Sequence, residues 1–221
     1  MSVAQGNEGL IEGAAGPGNE RFRQLPSGER LERTSDALRR NGISVYVEAT
    51  AADAVRRFEA IVPEGAEVFT ATSRTTEEVG IAAVVNNGEK YRSVRAKLAT
   101  MDRKTQNREM IKLGATPEYI VGSVHAVTEQ GQVVVASATG SQLGPYAASA
   151  GKVVWVVGTQ KIVRNLEEAF ARIREYSFAR EDDRAHKAYG VGTRISKLLI
   201  IQRESIPDRI SLIFVPTELG F

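Results

Sequence analysis

The sequence predicts an α/β fold: a doubly wound, mostly parallel sheet with helices on both faces. Two observations predict it. Strand-like segments alternate with amphipathic helical segments along most of the chain, which is typical of βαβ units. The central strands, such as QVVVAS and VVWVVG, are also nearly continuous in valine. Because a strand covered on one face only alternates apolar with polar residues, continuous apolar strands indicate a sheet buried on both faces.

The first half of the predicted domain alternates helices and strands in a regular order. The segment ERLERTSDALRR has helical periodicity and ends at Asn41-Gly42, a common helix stop. The strand-like ISVYV comes next, followed by an amphipathic helix that Pro63 ends and a second short strand, AEVFTA. Two further helical segments complete this half, TTEEVGIAAVVNNG and YRSVRAKLATMDRKTQNREMIKLG.

The second half contains most of the apolar strands. Three strand candidates come first: YIVGSVHAVTE, QVVVAS and VVWVVG. The helical segments LEEAFARIREY and AREDDRAHKAYGVG follow them. A turn that contains Pro207 separates the last two strands, SKLLIIQR and RISLIFVP. This spacing predicts that they form a hairpin-like pair, and hence a small antiparallel appendage to the sheet.

The first 28 residues differ in composition from the rest of the chain. They contain six glycines and two prolines with few large apolar side chains, so they bury too little surface to offset the entropy of ordering. We therefore predict a flexible N-terminal segment over residues 1–28 and one α/β domain over residues 29–221. A chain of 221 residues is long enough for a domain of this kind with a sizeable core.

Charge and cysteine content exclude several classes of function. Lys and Arg number 29 and Asp and Glu number 27, so the formal charge of +2 is too small to indicate a nucleic-acid partner. The absence of cysteine excludes disulfides, thiolate nucleophiles and Cys-ligated zinc or iron–sulfur clusters in this chain. Because the two histidines, His125 and His186, lie far apart in the sequence, we predict no metal site.

The sequence indicates no cofactor, membrane span or targeting segment. No run approaches the roughly 18 apolar residues of a membrane-spanning helix. The N-terminus lacks the charged-then-apolar order of a signal peptide, so the predicted location is cytoplasmic. The chain offers no nicotinamide or flavin fingerprint, and we therefore predict no cofactor.

Three loops that follow predicted strands carry polar side chains. Because ligands bind beyond the carboxyl ends of the strands in an open α/β sheet, we expect these loops to converge on one rim. The first loop, TATSRTTEEVGI, offers Thr72, Ser73, Thr75 and Glu78 as ligand-binding residues. Since Ser or Thr followed by Glu is also a capping box, the alternative is that these side chains only cap the next helix.

The second loop is the connection ASATGSQLGPYAASAG between two strongly apolar strands. Eleven of its sixteen residues are Ala, Ser or Gly, which allows a ligand to approach the backbone closely. It offers Ser137, Thr139, Gly140, Ser141 and Gln142, whose polar groups bind a ligand without burying a net charge. A loop that only packs needs fewer hydroxyl groups, so we favour a ligand-facing loop over a packing-only one.

The third loop, GTQKIV, follows the most apolar strand and carries Lys161 as its single basic group. We predict that Lys161 faces an anion, and the alternative is a solvated surface charge. Two titratable residues lie between the first two loops. His125 has an ordinary pKa of about 6.5 that suits a general acid or base, or it is a half-buried, hydrogen-bonded side chain. Glu129 suits a nucleophile or base, or it is a hairpin-turn residue.

Five ordered blocks carry a family resemblance: SRTTEEVG, GSVHAVTEQGQVVVASATGSQL, VVGTQKIVRNLEEAFARIREY, REDDRAHKAYGVGTRISKLLIIQRE and RISLIFVPTELGF. Together they resemble the lactate-utilisation (LUD) domain family. The resemblance is to its small stand-alone members, related to the third protein of the bacterial L-lactate oxidation operon. It runs from about Leu31 to Phe221.

The resemblance implies a fold similar to that of sugar-phosphate isomerases and coenzyme A transferases. It also implies a role in oxidising L-lactate to pyruvate beside partner subunits that carry iron–sulfur centres. Larger relatives append a cysteine-rich iron–sulfur region, which this chain lacks. The matched positions imply a shared cleft of Ser73, Thr75, Glu78, Ser137, Thr139, Gly140, Ser141, Gln142 and Lys161, and His125 and Glu129 belong to the match too.

Three functions stay open at this point. The leading one is a non-redox subunit of an L-lactate utilisation system that binds a small anionic metabolite or its partner proteins at the cleft. The alternative is an acyl or coenzyme A transferase-like, or isomerase-like, enzyme with Glu129 as nucleophile or base. The third is an assembly module that uses basic residues such as Arg95 and Arg103 and the apolar C-terminal strands, without a small ligand.

Overall fold

The structure, a computed structural model, describes residues 18–221 except for the side chains of residues 188 and 189. Its first half contains α1 (Gly28–Arg40), β1 (Ser44–Val47), α2 (Ala51–Ile61), β2 (Glu67–Thr70), α3 (Arg74–Val79), α4 (Ile81–Asn87), β3 (Arg92–Ser93), α5 (Val94–Ala99) and α6 (Arg103–Ala115). Its second half contains β4 (Tyr119–Gly122), β5 (Ala126–Thr128), β6 (Val133–Ser137), β7 (Lys152–Gly158), β8 (Ile162–Val163), α7 (Leu166–Arg172), α8 (Phe178–Tyr189), β9 (Lys197–Ile201) and β10 (Ile210–Val215).

The larger sheet has six strands in the order β1-β10-β7-β4-β2-β3, and every neighbouring pair is parallel. Alternate side chains of β7 pack on opposite faces. Val154 and Val156 join the core with α2, α3 and α4, whereas Val153, Trp155 and Val157 join the core with α1, α5 and the smaller sheet. The prediction of an α/β fold with a mostly parallel, doubly covered sheet is therefore confirmed.

The order of the strands reverses direction between β2 and β4. From β2 the chain continues outward to the edge strand β3, whereas from β4 it continues towards the centre of the sheet, to β7 and then β10. Neighbouring strands whose connections leave in opposite directions form a topological switch point, where a crevice opens beyond their carboxyl ends.

The smaller sheet has four strands in the order β8-β5-β6-β9. β5 is parallel to β8, and the other two pairs are antiparallel. One face of this sheet packs towards the larger sheet through Val133 and Val135, and the other packs on α7 through Val134. Because it is covered on both faces, its central strand QVVVAS is as apolar as a strand of the larger sheet. That is why the sequence pattern placed it among the parallel strands.

The predicted hairpin of the last two strands is wrong. β9 pairs with β6 in the smaller sheet, whereas β10 lies in the centre of the larger sheet, parallel to both β1 and β7. All six residues of β10 are buried, which is the environment expected of a continuously apolar strand. The prediction of a small appendage is confirmed, but its antiparallel partner for β9 is β6 rather than β10.

Two other predicted segments are divided in the structure. The helix predicted over TTEEVGIAAVVNNG is two helices, α3 and α4, that meet at Gly80, where a φ of 95° interrupts the helical backbone. The strand predicted over YIVGSVHAVTE is divided between β4 and β5, which belong to different sheets. The chain crosses in the same way from β7 to β8, through a 3-10 turn at Thr159–Lys161.

The predicted flexible segment, residues 1–28, lies outside the described residues up to residue 17. In its described part, a 3-10 turn at Glu20–Arg23 buries Phe22. The ring of Phe22 lies 6.4 Å from that of Tyr176, between centroids, so contacts of the domain extend to this turn. None of the helices among the described residues has the length and apolar content needed to cross a membrane.

Candidate functional site

A cavity of about 290 Å³ lies at the switch point, beyond the carboxyl ends of β2, β4 and β7. The loops after these three neighbouring strands form one side of it, and the loop after β6 of the smaller sheet forms another. Its volume is near the lower end of the range for ligand pockets, which suits a small ligand. The predicted residues that line it are Thr72, Ser73, Thr75, His125, Ser137, Thr139, Ser141, Gln142 and Lys161.

The loop after β2 both caps a helix and lines the cavity. Ser73 is the N-cap of α3, and its hydroxyl accepts a hydrogen bond from the Thr76 backbone N–H at 3.4 Å. The Thr75 side chain is buried, and its hydroxyl donates to the Leu219 carbonyl at 3.2 Å. Glu78 lies outside the cavity lining, because its carboxylate accepts from the Gly220 N–H at 2.7 Å.

The loop after β6 satisfies most of its own polar groups. The Ser137 hydroxyl donates to Gln142 Oε1 at 3.1 Å and accepts from the Gly140 N–H at 2.9 Å, and Thr139 and Ser141 bond to each other at 3.4 Å. Gly140 has a φ of 85°, in the left-handed region that favours glycine, and it is not among the lining residues. The hydroxyl groups therefore hold the loop in shape as well as facing the cavity.

Lys161 is the most unusual residue of the cavity. Its side chain is only 1% exposed, so the alternative of a solvated surface charge is wrong. Nζ donates to the hydroxyl of Thr75 at 2.9 Å and to that of Ser123 at 3.1 Å, and no carboxylate of a described residue forms an ion pair with it. Burial, together with the positive charge of Arg172, lowers the pKa of the amine well below its ordinary value of 10.5.

His125 is a neutral side chain in this environment. Its Nδ1 accepts a hydrogen bond from the Ala136 backbone N–H at 3.1 Å, which leaves the ring proton on Nε2. Burial and then the positive charges of Lys161 and Arg172 lower its pKa to about 3. Because a general acid or base works best with a pKa near the working pH, His125 suits a neutral hydrogen-bond donor better than a proton carrier at pH 7.

A second buried cation lies behind the wall of the cavity. Arg172 is fully buried, and Nη1 donates to the His125 carbonyl at 2.5 Å and to the Ser177 hydroxyl at 3.0 Å. Among the described residues, its Nε and Nη2 atoms have no hydrogen-bond partner. Burial lowers its pKa to about 10. No sequence signal identifies Arg172, since it ends an ordinary amphipathic helix.

The cavity has an excess of positive charge. Of the described residues that line it, five side chains are basic and two are acidic: Arg74, Arg95, Lys161, Arg184 and Arg194, against Glu77 and Glu181. The two acids pair with basic neighbours, Glu77 with Arg74 at 3.1 Å and Glu181 with Arg184 at 2.6 Å. A concave site of one sign concentrates ligands of the opposite sign, so this arrangement favours an anion.

The sequence pattern did not identify several of these residues. Ser123 and Tyr146 also line the cavity, as do Arg184 and Arg194. Ser123 lies inside a predicted strand, Arg184 in a polar helical region and Arg194 in the link that follows it, and none of these positions marks a site. Tyr146 belongs to the small-residue loop, in which the sequence predicts only residues of the stretch 137–142 as ligand-binding. Arg95, which the sequence suggests only as a basic residue for assembly, donates to the Thr70 carbonyl at 2.5 Å and to the Thr72 hydroxyl at 3.2 Å.

The structure does not bring Glu129 to the cavity. β5 separates it from His125, and its carboxylate pairs with Arg30 at 2.7 Å and Arg33 at 3.7 Å, both on α1. These ion pairs give Glu129 a structural role at the β5–β6 turn.

The part of the chain that the structure describes also contains no group of three His, Asp or Glu side chains placed to hold a metal ion.

Comparison with known proteins identifies the family. A family model described as the LUD domain matches residues 31–215. A search of curated proteins gives no match. Among solved structures, the chain is similar to a DUF162 family protein from Deinococcus radiodurans, with 13% sequence identity and a TM-score of 0.49 over 87% of this chain and 99% of that one. Because the family match covers most of the sequence, the chain belongs to the LUD domain family, which associates it with lactate utilisation.

Proposed function

We propose that this chain is a non-redox subunit of an L-lactate utilisation system in the cytoplasm and that it binds a small anionic metabolite in the cavity. Lys161 is the observation that carries the proposal. A buried amine without an acidic partner costs free energy, because its charged form loses hydration and gains no counter-charge. An anion held by the basic lining supplies that counter-charge and gives the buried amine a polar partner.

The other lining residues favour a small acid with additional polar groups. Hydroxyl groups from Thr72 and Ser137 and the neutral imidazole of His125 provide hydrogen-bond partners without adding negative charge. The volume of about 290 Å³ suits a compact ligand. Together with the association of the family with lactate utilisation, these features support L-lactate or its oxidation product pyruvate as the ligand.

Calorimetric titration with L-lactate and pyruvate tests the proposal. We expect the wild-type protein to bind at least one of them and the Lys161→Met variant to bind it at least about tenfold more weakly, a loss of about 1.4 kcal/mol. Lys112→Met is the matched control, because Lys112 is exposed on α6 and should bind like the wild type. Equal binding by Lys161→Met and the wild type, or no binding of either acid, would contradict the proposal.

The electron-transfer step then belongs to partner subunits. This chain has no cysteine to hold an iron–sulfur cluster, so we propose that it works beside iron–sulfur proteins of the same system. Replacing the gene with the Lys161→Met allele in a lactate-grown host should slow growth on L-lactate but not on glucose. Unchanged growth on L-lactate, in a host without a second lactate-oxidation route, argues against this assignment.

The transferase-like alternative has less support. It needs a carboxylate nucleophile at the site, and Glu129 lies outside the cavity in ion pairs with α1. One observation favours the third hypothesis, an assembly module: α6 has no buried residue, and its Arg103 is exposed to solvent. Such a surface is compatible with partner docking in addition to ligand binding.

A further inference from the structure

The contacts of Lys161 are those of an amine with a free lone pair. The hydroxyl proton of Thr75 is donated to the Leu219 carbonyl, so Thr75 Oγ1 is an acceptor towards Lys161 Nζ. The Ser123 hydroxyl is the second partner, at 3.1 Å. A neutral amine has two N–H bonds and one lone pair. Because the two hydroxyl groups engage the two N–H bonds, the lone pair is left for a ligand in the cavity.

The environment favours this neutral form over the ammonium. Lys161 is fully buried, the nearby buried Arg172 is positively charged, and no carboxylate of a described residue pairs with Lys161. Burial and then the charge of Arg172 lower the pKa of the amine, and the charge of Glu78 opposes them. A lysine that is desolvated and close to another cation is activated as a nucleophile towards carbonyl groups.

We infer that Lys161 forms an imine with the carbonyl group of a small α-keto acid bound in the cavity. This inference rests on the proposed function, because the same positive cavity must first hold the carboxylate of the ligand. A keto acid is the ligand class that uses both features, since its carboxylate suits the basic lining and its carbonyl suits the amine. L-Lactate has the carboxylate but an alcohol in place of the carbonyl, so it binds without reacting.

The reaction balances without an oxidant or a reductant. The lone pair of Nζ adds to the carbonyl carbon, the C=O π electrons move to oxygen, and a proton moves from nitrogen to that oxygen to give a carbinolamine. The C–O bond then breaks as the nitrogen lone pair forms the C=N bond, and the remaining N–H proton leaves with the oxygen as water. The Ser123 hydroxyl, which is hydrogen-bonded to Nζ, relays these protons.

Reductive trapping of the wild-type protein tests the inference directly. The full chain is incubated with pyruvate and sodium cyanoborohydride at pH 7, and the modified lysines are located by peptide mass spectrometry. We expect a reduced pyruvate adduct on Lys161 that excess L-lactate suppresses. Exposed lysines such as Lys104 and Lys112 are internal controls. Because these side chains lie outside the cavity and hold no keto acid beside their amines, they should react far more slowly.

The outcomes separate this inference from the proposed function. If calorimetry shows that pyruvate binds but Lys161 gains no adduct, or gains it no faster than Lys104, the imine is ruled out and anion binding stands. If neither pyruvate nor L-lactate binds, both proposals fail. If the adduct forms on Lys161 and L-lactate does not suppress it, the amine reacts without the anion site, and the keto acid assignment is overturned.

Discussion

At the scale of single residues, the cavity departs from the usual rules for burial. Charged side chains are rarely buried without partners, yet Lys161 and Arg172 are both buried, and neither has a carboxylate partner among the described residues. Holding such groups reduces folding stability, and proteins retain them mainly where function requires them. Burial keeps His125 neutral, and the positive charge of Arg172 acts in the same direction on both His125 and Lys161.

The sequence could place Lys161 but not describe its surroundings. Its position directly after the most apolar strand predicts a location at the carboxyl edge of the sheet, and the structure has it there. The hydrogen-bond partners of its amine, Thr75 at the start of α3 and Ser123 after β4, come from other parts of the chain. The sequence also could not show that Glu129 lies outside the cavity. Its ion pair with Arg30 depends on how α1 packs against the β5–β6 turn, which the sequence pattern does not show.

The pH dependence of stability tests the state of His125. In the unfolded chain it takes up a proton below its ordinary pKa of 6.5, whereas in the folded protein it resists protonation until about pH 3. Its contribution to the free energy of unfolding is therefore complete above pH 6.5 and is lost progressively as the pH falls from 6.5 to 3. His125→Asn keeps an acceptor for the Ala136 N–H but cannot take up this proton.

Urea unfolding between pH 7 and pH 4 measures this effect. We expect the free energy of unfolding of His125→Asn to fall less steeply with decreasing pH than that of the wild type. His186→Asn is the control, because His186 is exposed on α8. A His125→Asn curve parallel to the wild-type curve would show that His125 is protonated as readily in the folded protein as in the unfolded chain.

At the scale of elements, the site depends on which strands are neighbours. β7, β4 and β2 lie side by side in the larger sheet, so the loops after them meet at one edge. The general geometry of parallel sheets accounts for the loops after β2 and β7, whereas the loop after β6 reaches the cavity from the smaller sheet. The sequence could not predict that β6 and β9 belong to the smaller sheet, because a strand buried on both faces has the same apolar pattern in either sheet.

The small-residue connection after β6 has an explanation at this scale. It carries the chain from the smaller sheet back to the centre of the larger one, where β7 lies between β10 and β4. Arg209, before β10, fixes this crossing by donating to the carbonyl groups of Pro145, Tyr146 and Ala150, and it pairs with Glu204 at 2.7 Å. Small residues allow the backbone to pass this close to its neighbours.

Two glycine substitutions test the packing of this crossing against the end of β4. A Cβ atom at Gly122 would lie 1.9 Å from the Tyr146 hydroxyl oxygen and 3.0 Å from the Ala71 Cβ. Moving Tyr146 away would cost free energy, because its side chain is buried and its ring packs edge-on against that of Trp155, at 5.4 Å between centroids. We expect Gly122→Ala to lower the free energy of unfolding by about 1–3 kcal/mol, the usual cost of overpacking.

The matched control is Gly114→Ala in α6. A Cβ there meets only the Phe69 ring, at an ordinary contact distance of 3.9 Å. Alanine also favours a helix over glycine, so this variant should gain up to about 1 kcal/mol. Chemical denaturation of the two variants gives both values. Similar stabilities for the two variants would mean that Tyr146 does not occupy the space beside Gly122.

At the scale of the whole molecule, the two sheets form one unit with the cavity at their junction. The chain crosses between them at residues 123–125 and again at Thr159–Lys161, and both crossings contribute to the cavity lining. Their facing side chains share one apolar core that includes Trp155 and Val135. A ligand bound in the cavity would therefore contact loops from both sheets, and its binding should stabilise the protein as a whole by mass action.

The crystal structure of the protein with bound L-lactate tests the central claim, that this junction is an anion site organised by Lys161. We predict lactate density in the cavity, with a carboxylate oxygen within hydrogen-bond distance of Lys161 Nζ and with Thr75 and Ser123 still lining the site. A cavity that holds only water at saturating L-lactate, or lactate bound away from Lys161, would contradict the account.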